Sequence, residues 1–298
     1  SRLPTGWGAP PTGLWPITRA QALQRLTEFI THGLAPFGAH EDAMLAGEWK
    51  LAHSVLSSSL NLGLLHPSEV VEAALDAYRR GAAPINSVEG FIRQVLGWRE
   101  FVWGLYWHWM PDYRSANGLG ATRPVPPAFT GDASTEMACV ASVVSNVHAR
   151  GYAHHIERLM VLGNLALTAG VDPQAMTDWM WANFVDGAEW VMLPNVIGMA
   201  LYADGGMMAT KPYASGGAYI NRMSDHCAGC RYDPKRRTGP DACPFTTLYW
   251  DFLARNEAAL GGNHRVGRQL AGMRRLSDLD EVRDHAREVL VALDTGAL

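Results

Sequence analysis

Four cysteines are the residues in this 298-residue chain whose type and spacing point most directly to chemistry. Cys227 and Cys230 form a Cys-x-x-Cys pair, twelve residues separate Cys230 from Cys243, and Cys139 lies far upstream. Four thiolates complete one site for a zinc ion or for an iron–sulfur cluster, and no cysteine is left over. The cysteines alone leave zinc and a cluster as equal alternatives.

Two disulfides would use the same four residues. The sequence shows no signal peptide and no transmembrane run, and a chain of this length can bury a core without covalent crosslinks. Nearly half of the residues are apolar (48%) and the net charge is −4, which is the composition of a soluble globular protein. We therefore favour a metal or cluster site over disulfides.

A basic run lies between the second and fourth cysteines and consists of Arg231, Lys235, Arg236 and Arg237. Local clustering of positive charge can bind nucleic acid even where the net charge of the chain is slightly negative. The alternative is an ordinary solvated loop.

Two further segments combine polar and apolar residues in an unusual way. The first runs from His53 to Gly63 and is rich in serine, so its hydroxyl groups either contact a phosphate or simply cap a helix. The second runs from Trp98 to Phe101 and embeds Arg99 and Glu100 among aromatic residues. Aromatic residues at this density usually pack in a core, but charges buried among them need partners, either a ligand or an ion pair.

The elements that must position these residues are predicted to be almost entirely helical, because apolar residues recur with helical spacing and alternating strand patterns are nearly absent. We expect an all-α fold with long irregular loops around 111–134 and 203–245. The predicted N-terminal caps are Thr18 with Gln21, Ser68, Asn86 with Glu89, and Asp172 followed by Pro173. A preceding helix is expected to end near Gly170.

Taken in order, these motifs resemble the FAD-binding helical domain of photolyases and cryptochromes. The motifs are Ser54-x-Leu56-Ser57 with Leu60 and Gly63, then Trp98-Arg99-Glu100-Phe101, then Gly151 to Arg158 with its His154-His155 pair, then Phe184-Val185-Asp186-Gly187. The cysteine spacing is similar to that of the bacterial branch with iron–sulfur cryptochromes and prokaryotic (6-4) photolyases. The resemblance covers the whole chain and favours a [4Fe–4S] cluster over zinc.

The resemblance implies an FAD site. It assigns His53, Ser54, Leu56 and Ser57 to the flavin phosphates, with His53 standing where the family usually has threonine. It pairs Arg158 with Asp186 of the Asp186-Gly187 step beside the flavin ring. Asn195 is the nearest asparagine to the position that contacts the flavin in many members.

The resemblance also implies light-driven repair of a pyrimidine lesion that is flipped out of UV-damaged DNA, because a lesion inside the stack is unreachable. His155, with His154 beside it, would supply a proton for (6-4) repair, for which a pKa near neutral is suited. Trp98 and Tyr213 would contact the lesion, with Arg99 and Glu100 organising the pocket. Gln94 stands one residue further from Trp98 than the polar lesion-contacting residue of classical photolyases. Trp179 is the candidate electron-transfer residue.

We therefore expect a monomeric bacterial cytoplasmic protein whose residues 1–298 form one FAD-binding catalytic domain. Residues 1–16 are a linker-like entry, and 135–250 carry the cluster ligands and the flavin and lesion pocket. No residues resemble the α/β antenna domain with which full-length family members begin, so no antenna pigment is expected here. The most favoured function is (6-4) photolyase. The alternatives are a blue-light cryptochrome with the same cofactors and a zinc-stabilised helical DNA-binding module.

Overall fold

The computed structural model of the chain describes residues 7–298, which fold into helices joined by loops and contain no β-strand. Three isolated bridges, Met44 with Ser224, Arg123 with Val171 and Asp233 with Ala242, pair extended loop residues. The predicted all-α fold is confirmed. The linker-like entry begins at residues 1–6, which lie outside the described residues, and no helix occurs between 7 and 16.

The α-helices follow one another along the chain with short connections. They are α1 (Arg19–Glu28), α2 (Leu34–His40), α3 (Ser57–Asn61), α4 (Pro67–Arg79), α5 (Ile85–Ile92), α6 (Arg99–Trp109), α7 (Pro127–Thr130), α8 (Ala138–Arg150), α9 (His155–Glu157), α10 (Asn164–Ala169), α11 (Pro173–Asn183), α12 (Glu189–Leu193), α13 (Gly217–Met223), α14 (Pro244–Arg255), α15 (Glu257–Leu260), α16 (Gly267–Met273) and α17 (Leu279–Thr295). Short 3₁₀ turns lie at Asp112–Ser115 and His226–Gly229.

Four π-helical segments interrupt or extend these helices, at Phe29–Gly33, Arg93–Trp98, Arg158–Gly163 and Pro194–Ala200. A π turn closes over one residue more than an α turn, and such turns are frequent at functional sites. Trp98, Arg158 and Asn195, all predicted site residues, each lie in one of them.

Helix ends follow the predicted caps where the capping signal is local and complete. The Thr18 hydroxyl accepts from the Gln21 N–H, and the Gln21 side chain accepts from the Thr18 N–H, as predicted for α1. Asp172 caps α11 with Pro173 at its first position, and α10 ends at Gly170 in the left-handed conformation.

Two predicted caps are wrong. Helix α4 begins at Pro67, so the imidazole of His66 is its cap and Ser68 lies inside the first turn. Helix α5 begins directly after Pro84, so Asn86 and Glu89 are interior residues and the Glu89 carboxylate accepts from Arg93 instead. In both cases a proline next to the helix start fixes the boundary two residues earlier than the capping pattern indicates.

The helices pack around two apolar cores. The first core gathers residues of α1, the π segment Phe29–Gly33, α2, α4 and α5, including Phe29, Leu34 and Phe91. The larger core contains residues of α8 to α17, including Phe245 and Phe252. Helix α5, the π turn at Arg93–Trp98 and α6 follow one another directly and form one long helical segment. It runs from the first core to the second, and the cavity described below lies between them.

The two loops predicted to be irregular contain short helices. Helix α7 and a 3₁₀ turn lie within 111–134, and α13 and a second 3₁₀ turn lie within 203–245. Within residues 7–298, no helix is both long and apolar enough to cross a membrane.

Candidate cofactor and substrate site

A cavity of about 350 Å³ lies between the two cores. We call it the first cavity. Most of the residues predicted to hold a cofactor line it, namely His53, Ser54, Leu56, Ser57, Arg158, Asp186 and Asn195. Gly187 does not. A Cβ atom at Gly187 would lie 2.3 Å from the carbonyl oxygen of Trp181, so this glycine permits close packing of the turn after α11.

Arg158 and Asp186 form the charged part of the first cavity. The guanidinium donates two bonds of 3.0 Å to the two oxygens of the Asp186 carboxylate, and its Nε donates to the carbonyl oxygen of Ala153 at 2.6 Å. The same guanidinium lies 4.3 Å over the ring of Phe184 and 5.0 Å over that of Tyr152. Because the guanidinium makes two hydrogen bonds to the carboxylate and also stacks on aromatic rings, both charged side chains are held in one orientation.

Asp186 also ties the serine-rich segment to this pair. Ser57 Oγ donates to its Oδ2 at 2.6 Å, and Asn61 Nδ2 donates to its main-chain oxygen at 3.0 Å. Just before α3, Val55 adopts a φ of +49°, which is rare for a β-branched residue and bends the chain at the cavity wall. The predicted phosphate-contacting segment is therefore held by the carboxylate that also binds Arg158.

Polar atoms around the first cavity lack partners in the described part of the chain. Neither Nε2 of His53 nor Nε of Arg99 has a hydrogen-bond partner, although both atoms are buried. Burial and the charges of His155 and Arg158 lower the pKa of His53 to about 4, so its imidazole is neutral near pH 7. Buried polar atoms are normally satisfied, so these atoms fit a polar ligand such as a dinucleotide.

The opposite wall is aromatic. The indole Nε1 of Trp98 donates to Oδ1 of Asn195 at 3.1 Å, and Asn195 donates in turn to the main chain of Val191 at 2.7 Å. Arg99 lies 4.9 Å over the ring of Trp190 and also lines the cavity. Glu100, predicted to organise the pocket with Arg99, lines neither this cavity nor the next and is exposed instead.

A second cavity, of about 470 Å³, adjoins the first. Four residues line both, namely Asp42, Gln94, Trp98 and His155. The second cavity is also lined by Lys211 and Tyr213, which lie in the loop before α13, and by Tyr219 of α13. Trp98, Tyr213 and His155 therefore line the same cavity.

His155 begins α9 and is the histidine exposed to both cavities. Loss of hydration beside the surrounding protein lowers the pKa of His155, and the positive charge of Arg158 lowers it further. The carboxylate of Asp42 raises this pKa. The imidazole is thus mainly neutral at neutral pH and reaches both cavities, as a side chain that exchanges a proton with a bound substrate must.

His154 is placed differently from its neighbour, and the prediction of a catalytic role for it is not supported by its position. Its ring is fully buried, lines neither cavity and stacks on His53 with ring centroids 4.5 Å apart. Burial lowers its pKa to about 2, and burial of Glu157, whose carboxylate lies 3.5 Å away, raises the pKa of that group to about 7. Of the two adjacent histidines, His155 is therefore accessible from the cavities, and His154 packs in the interior.

Trp179 is buried behind the first cavity and does not line it. The ring centroid of Phe184 lies 6.0 Å from that of Trp179. The role of Trp179 in electron transfer stays a prediction.

None of the four cysteines forms a disulfide bond, and all four line one small third cavity. Burial, followed by the neighbouring thiols, raises the pKa of Cys139, and burial likewise raises the pKa of Cys227 to about 11. Among residues 7–298, no three His, Cys, Asp or Glu side chains are grouped so that they could hold one metal ion. The structure thus brings the four thiols to one place without forming a mononuclear site.

The basic run beside these cysteines is largely paired. Arg231 bonds Glu136, Arg236 bonds Asp241 at 3.3 Å, and Arg237 bonds Asp278 at 2.6 Å. Its positive charge is therefore mostly neutralised by the protein itself.

Sequence reasoning missed Asp42, Asn61, Tyr152 and Trp190 at the site. Asn61 and Tyr152 lie inside the quoted motifs and could have been found there. Asp42 and Trp190 carry no motif of their own, and only the packing of distant segments brings them to the cavities.

The helical architecture and a cofactor-sized cavity enclosed between two helical cores define a helical cofactor-binding domain. No family model matches the chain. Over 262 residues, the chain is 51% identical to the (6-4) photolyase of Agrobacterium fabrum (strain C58), a match that covers 88% of this chain and 52% of that protein. The crystal structure of a bacterial class III photolyase from Agrobacterium tumefaciens matches with a TM-score of 0.59 at 18% identity, over 95% of this chain and 57% of that one.

The chain belongs to the photolyase/cryptochrome family, and membership in this family implies FAD. It spans about half the length of the curated relative that it matches. The first cavity fits that cofactor, because it combines a paired arginine, unpartnered buried polar atoms and aromatic walls.

Proposed function

We propose that this chain is the flavin-binding half of a light-driven DNA repair enzyme that acts on (6-4) pyrimidine lesions. The observation that carries the proposal is the position of His155 on the wall shared by the two adjoining cavities. One cavity fits FAD, and the other has the aromatic walls that a base extruded from DNA requires. The (6-4) photolyase relative supports the choice of lesion.

In this proposal different residues of the two cavities bind different parts of the cofactor and the lesion. Ser54, Ser57 and His53 hold the phosphates, and the Arg158–Asp186 pair holds the ring system of the cofactor. When bound, reduced FAD supplies an electron to the lesion after it absorbs light. Trp98 lines both cavities and, in this proposal, packs against the lesion and keeps it close to the cofactor, which shortens the path of that electron.

His155 supplies the proton for repair. In its protonated form the imidazole donates to the lesion, and the neutral form takes the proton back when the bases are restored. Asp42, which also faces both cavities, favours the protonated form. Tyr213 and Tyr219 provide flat surfaces against which the extruded bases pack.

We also assign the third cavity to a [4Fe–4S] cluster held by Cys139, Cys227, Cys230 and Cys243. A zinc tetrathiolate requires Zn–S bonds of about 2.3 Å and so brings its sulfurs close together. A cluster binds each cysteine through a different iron and spaces the sulfurs more widely. The four thiols line one cavity, as the four ligands of a cluster would. Metal binding would also deprotonate the thiols, whose pKa the buried site otherwise raises.

A repair assay tests the proposal. Protein purified without oxygen, loaded with FAD and reduced, is mixed with an oligonucleotide that contains one (6-4) lesion and is exposed to blue light. We expect restoration of the original bases, with about four iron and four sulfide per chain. Flavin photochemistry without restoration would indicate the photoreceptor alternative. Colourless protein with one zinc ion and no flavin would contradict both cofactor assignments and favour the helical DNA-binding module.

A further inference from the structure

His226 is a buried polar residue to which the proposed function gives no task. It is 5% exposed and lines the third cavity together with the four cysteines. Its ring nitrogen Nε2 is buried and has no hydrogen-bond partner within residues 7–298. Buried polar atoms are normally satisfied, so this nitrogen requires a partner that the described protein atoms do not supply.

The walls of the third cavity limit what that partner can be. Apart from the cysteines and His226, the lining side chains are Met137, Ile220, Tyr232, Pro244 and Phe245. None of them carries a carboxylate or an amide, and the phenol of Tyr232 makes no hydrogen bond with Nε2. The acceptor that this cavity offers is therefore sulfur, either of a cysteine or of a group that the cysteines hold.

The local fold places the His226 ring and the first cysteine of the pair in a fixed relation. His226 begins the 3₁₀ turn in which Cys227 is the next residue. The carboxylate of Asp225, just before this turn, accepts from the main-chain N–H of Ala46 at 2.8 Å. The main-chain N–H of Cys230 donates to the carbonyl oxygen of Cys227 at 3.3 Å. These contacts hold the ring beside the cysteine pair, as residues that support metal ligands are held.

The imidazole of His226 can offer a proton to sulfur. A neutral imidazole carries a proton on one of its two ring nitrogens, and a protonated imidazole carries one on each. Cysteine thiolates around a bound cluster carry negative charge, which favours the tautomer with the proton on Nε2. Because the ring is buried, little water competes for this proton, and a hydrogen bond there is stronger than the same bond in water.

A donor at this place acts on the electrons of the cluster. Reduction adds one negative charge, and the partial positive charge of an N–H group stabilises the reduced form more than the oxidised form. Hydrogen bonds to the sulfurs are among the factors that set the reduction potential of an iron–sulfur cluster. A donor that makes reduction tenfold more favourable raises the potential of a one-electron couple by about 59 mV.

We propose that the Nε2–H of His226 donates a hydrogen bond to a sulfur of the [4Fe–4S] cluster and raises its reduction potential. The proposal rests on the proposed cluster. The four cysteines supply the four ligands, so His226 binds no iron and acts through the hydrogen bond alone. His226 lines neither the first nor the second cavity, so the proposal gives it no contact with the flavin or the lesion.

The test compares reduction potentials in protein that is purified without oxygen and contains FAD and the cluster. The potential is measured by titration with dithionite and electron paramagnetic resonance of the cluster, and iron and sulfide are assayed in every sample. We expect His226→Leu, which has no donor, to lower the potential by about 59 mV, a tenfold change in the equilibrium constant. His226→Gln keeps an N–H donor and should keep most of the wild-type potential.

The matched control is Met137→Leu, which changes an apolar side chain in the same cavity and removes no donor. Its potential should equal that of the wild type. An equal decrease in Met137→Leu and His226→Leu would assign the effect to packing and overturn the proposal. A wild-type potential in His226→Leu, or the same decrease in His226→Gln as in His226→Leu, would also overturn it.

A second measurement does not depend on the variants keeping their cluster. Pulsed electron paramagnetic resonance of wild-type protein, with histidine labelled by the heavy nitrogen isotope, should show one weak nitrogen coupling, as a hydrogen bond gives. No coupling, or the strong coupling of a nitrogen bound to iron, would overturn the proposal. Wild-type protein without iron and sulfide would instead contradict the proposed cluster itself, and the iron and sulfide assay distinguishes the two failures.

Discussion

Arg158 and Asp186 meet through two parallel hydrogen bonds of 3.0 Å although 28 residues separate them in the sequence. The Asp186 carboxylate also accepts from Ser57, and the Arg158 side chain stacks on Phe184. The pair therefore joins three segments of the chain at the wall of the first cavity, and its charges remain balanced in a largely buried place.

We expect Asp186→Asn to destabilise the protein and weaken flavin binding. The substitution leaves the Arg158 guanidinium without its countercharge, and breaking a buried pair in this way costs about 3 kcal/mol. Urea unfolding and FAD content measure the two effects. The matched control is Asp241→Asn, which breaks the exposed pair with Arg236 and should cost less than about 1 kcal/mol. Equal effects of the two substitutions would contradict the structural role given to Asp186.

His155→Ala should abolish repair and leave FAD bound, because this imidazole faces the second cavity while other residues hold the cofactor. His40→Ala, at the exposed end of α2, is the control and should repair normally. The pKa of His155 is lowered from 6.5, so its protonated form is lost as pH rises through a value below 6.5. The repair rate of the wild type should therefore fall as pH increases toward 8. A rate that is constant from pH 5.5 to 8 would show that another group supplies the proton.

Glu157 should make the stability of the protein depend on pH. Burial raises its folded-state pKa to about 7, above the 4.5 expected in the unfolded chain. Its contribution is fully present below pH 4.5 and is lost as pH rises through 7, because ionisation is then easier in the unfolded state. Glu157→Gln cannot ionise. Its stability relative to the wild type should therefore increase between pH 4.5 and 8, by an amount on the order of 3 kcal/mol.

Chemical denaturation of both proteins across this pH range measures the difference. The comparison between variant and wild type removes the separate effect of His53 and His154, whose lowered pKa values destabilise the fold as pH falls below 6.5. A difference that does not change with pH would show that Glu157 ionises equally in both states.

Lys211→Ala should weaken binding of lesion-bearing DNA and reduce its salt dependence. Lys211 is exposed beside the second cavity, and it is a cation available to the DNA backbone there. Loss of one phosphate contact lowers the slope of log K against log salt by about 0.9. Arg236→Ala is the control, because Arg236 is already paired with Asp241. If Arg236→Ala has the larger effect, the basic run near the cysteines is the DNA-binding surface instead.

Local signals in the sequence predict the parts of this structure that depend on local contacts. Asp172 and Pro173 fix the start of α11 within a few residues, and the structure agrees. The prediction at Ser68 is wrong because His66, a less usual cap, makes the bond that serine was expected to make. Asp42 could not be predicted, because its place at the site depends on segments that are far apart in the chain.

The sequence also does not show which of two neighbouring side chains is buried. His154 and His155 are adjacent and identical in type, yet one is fully buried and the other faces both cavities. The start of α9 at His155 makes the difference, because it points successive side chains in different directions.

The π turn at Arg93–Trp98 contains Gln94, which the resemblance places one residue further from Trp98 than the polar residue of classical photolyases. A π turn holds about 4.4 residues, so side chains four apart point the same way, and Gln94 and Trp98 both face the two cavities. An inserted residue can thus be absorbed within one turn without rotating the helix that follows. Alignments of this segment should therefore place their gap inside the turn and pair Gln94 with the polar position that strict counting assigns to Val95.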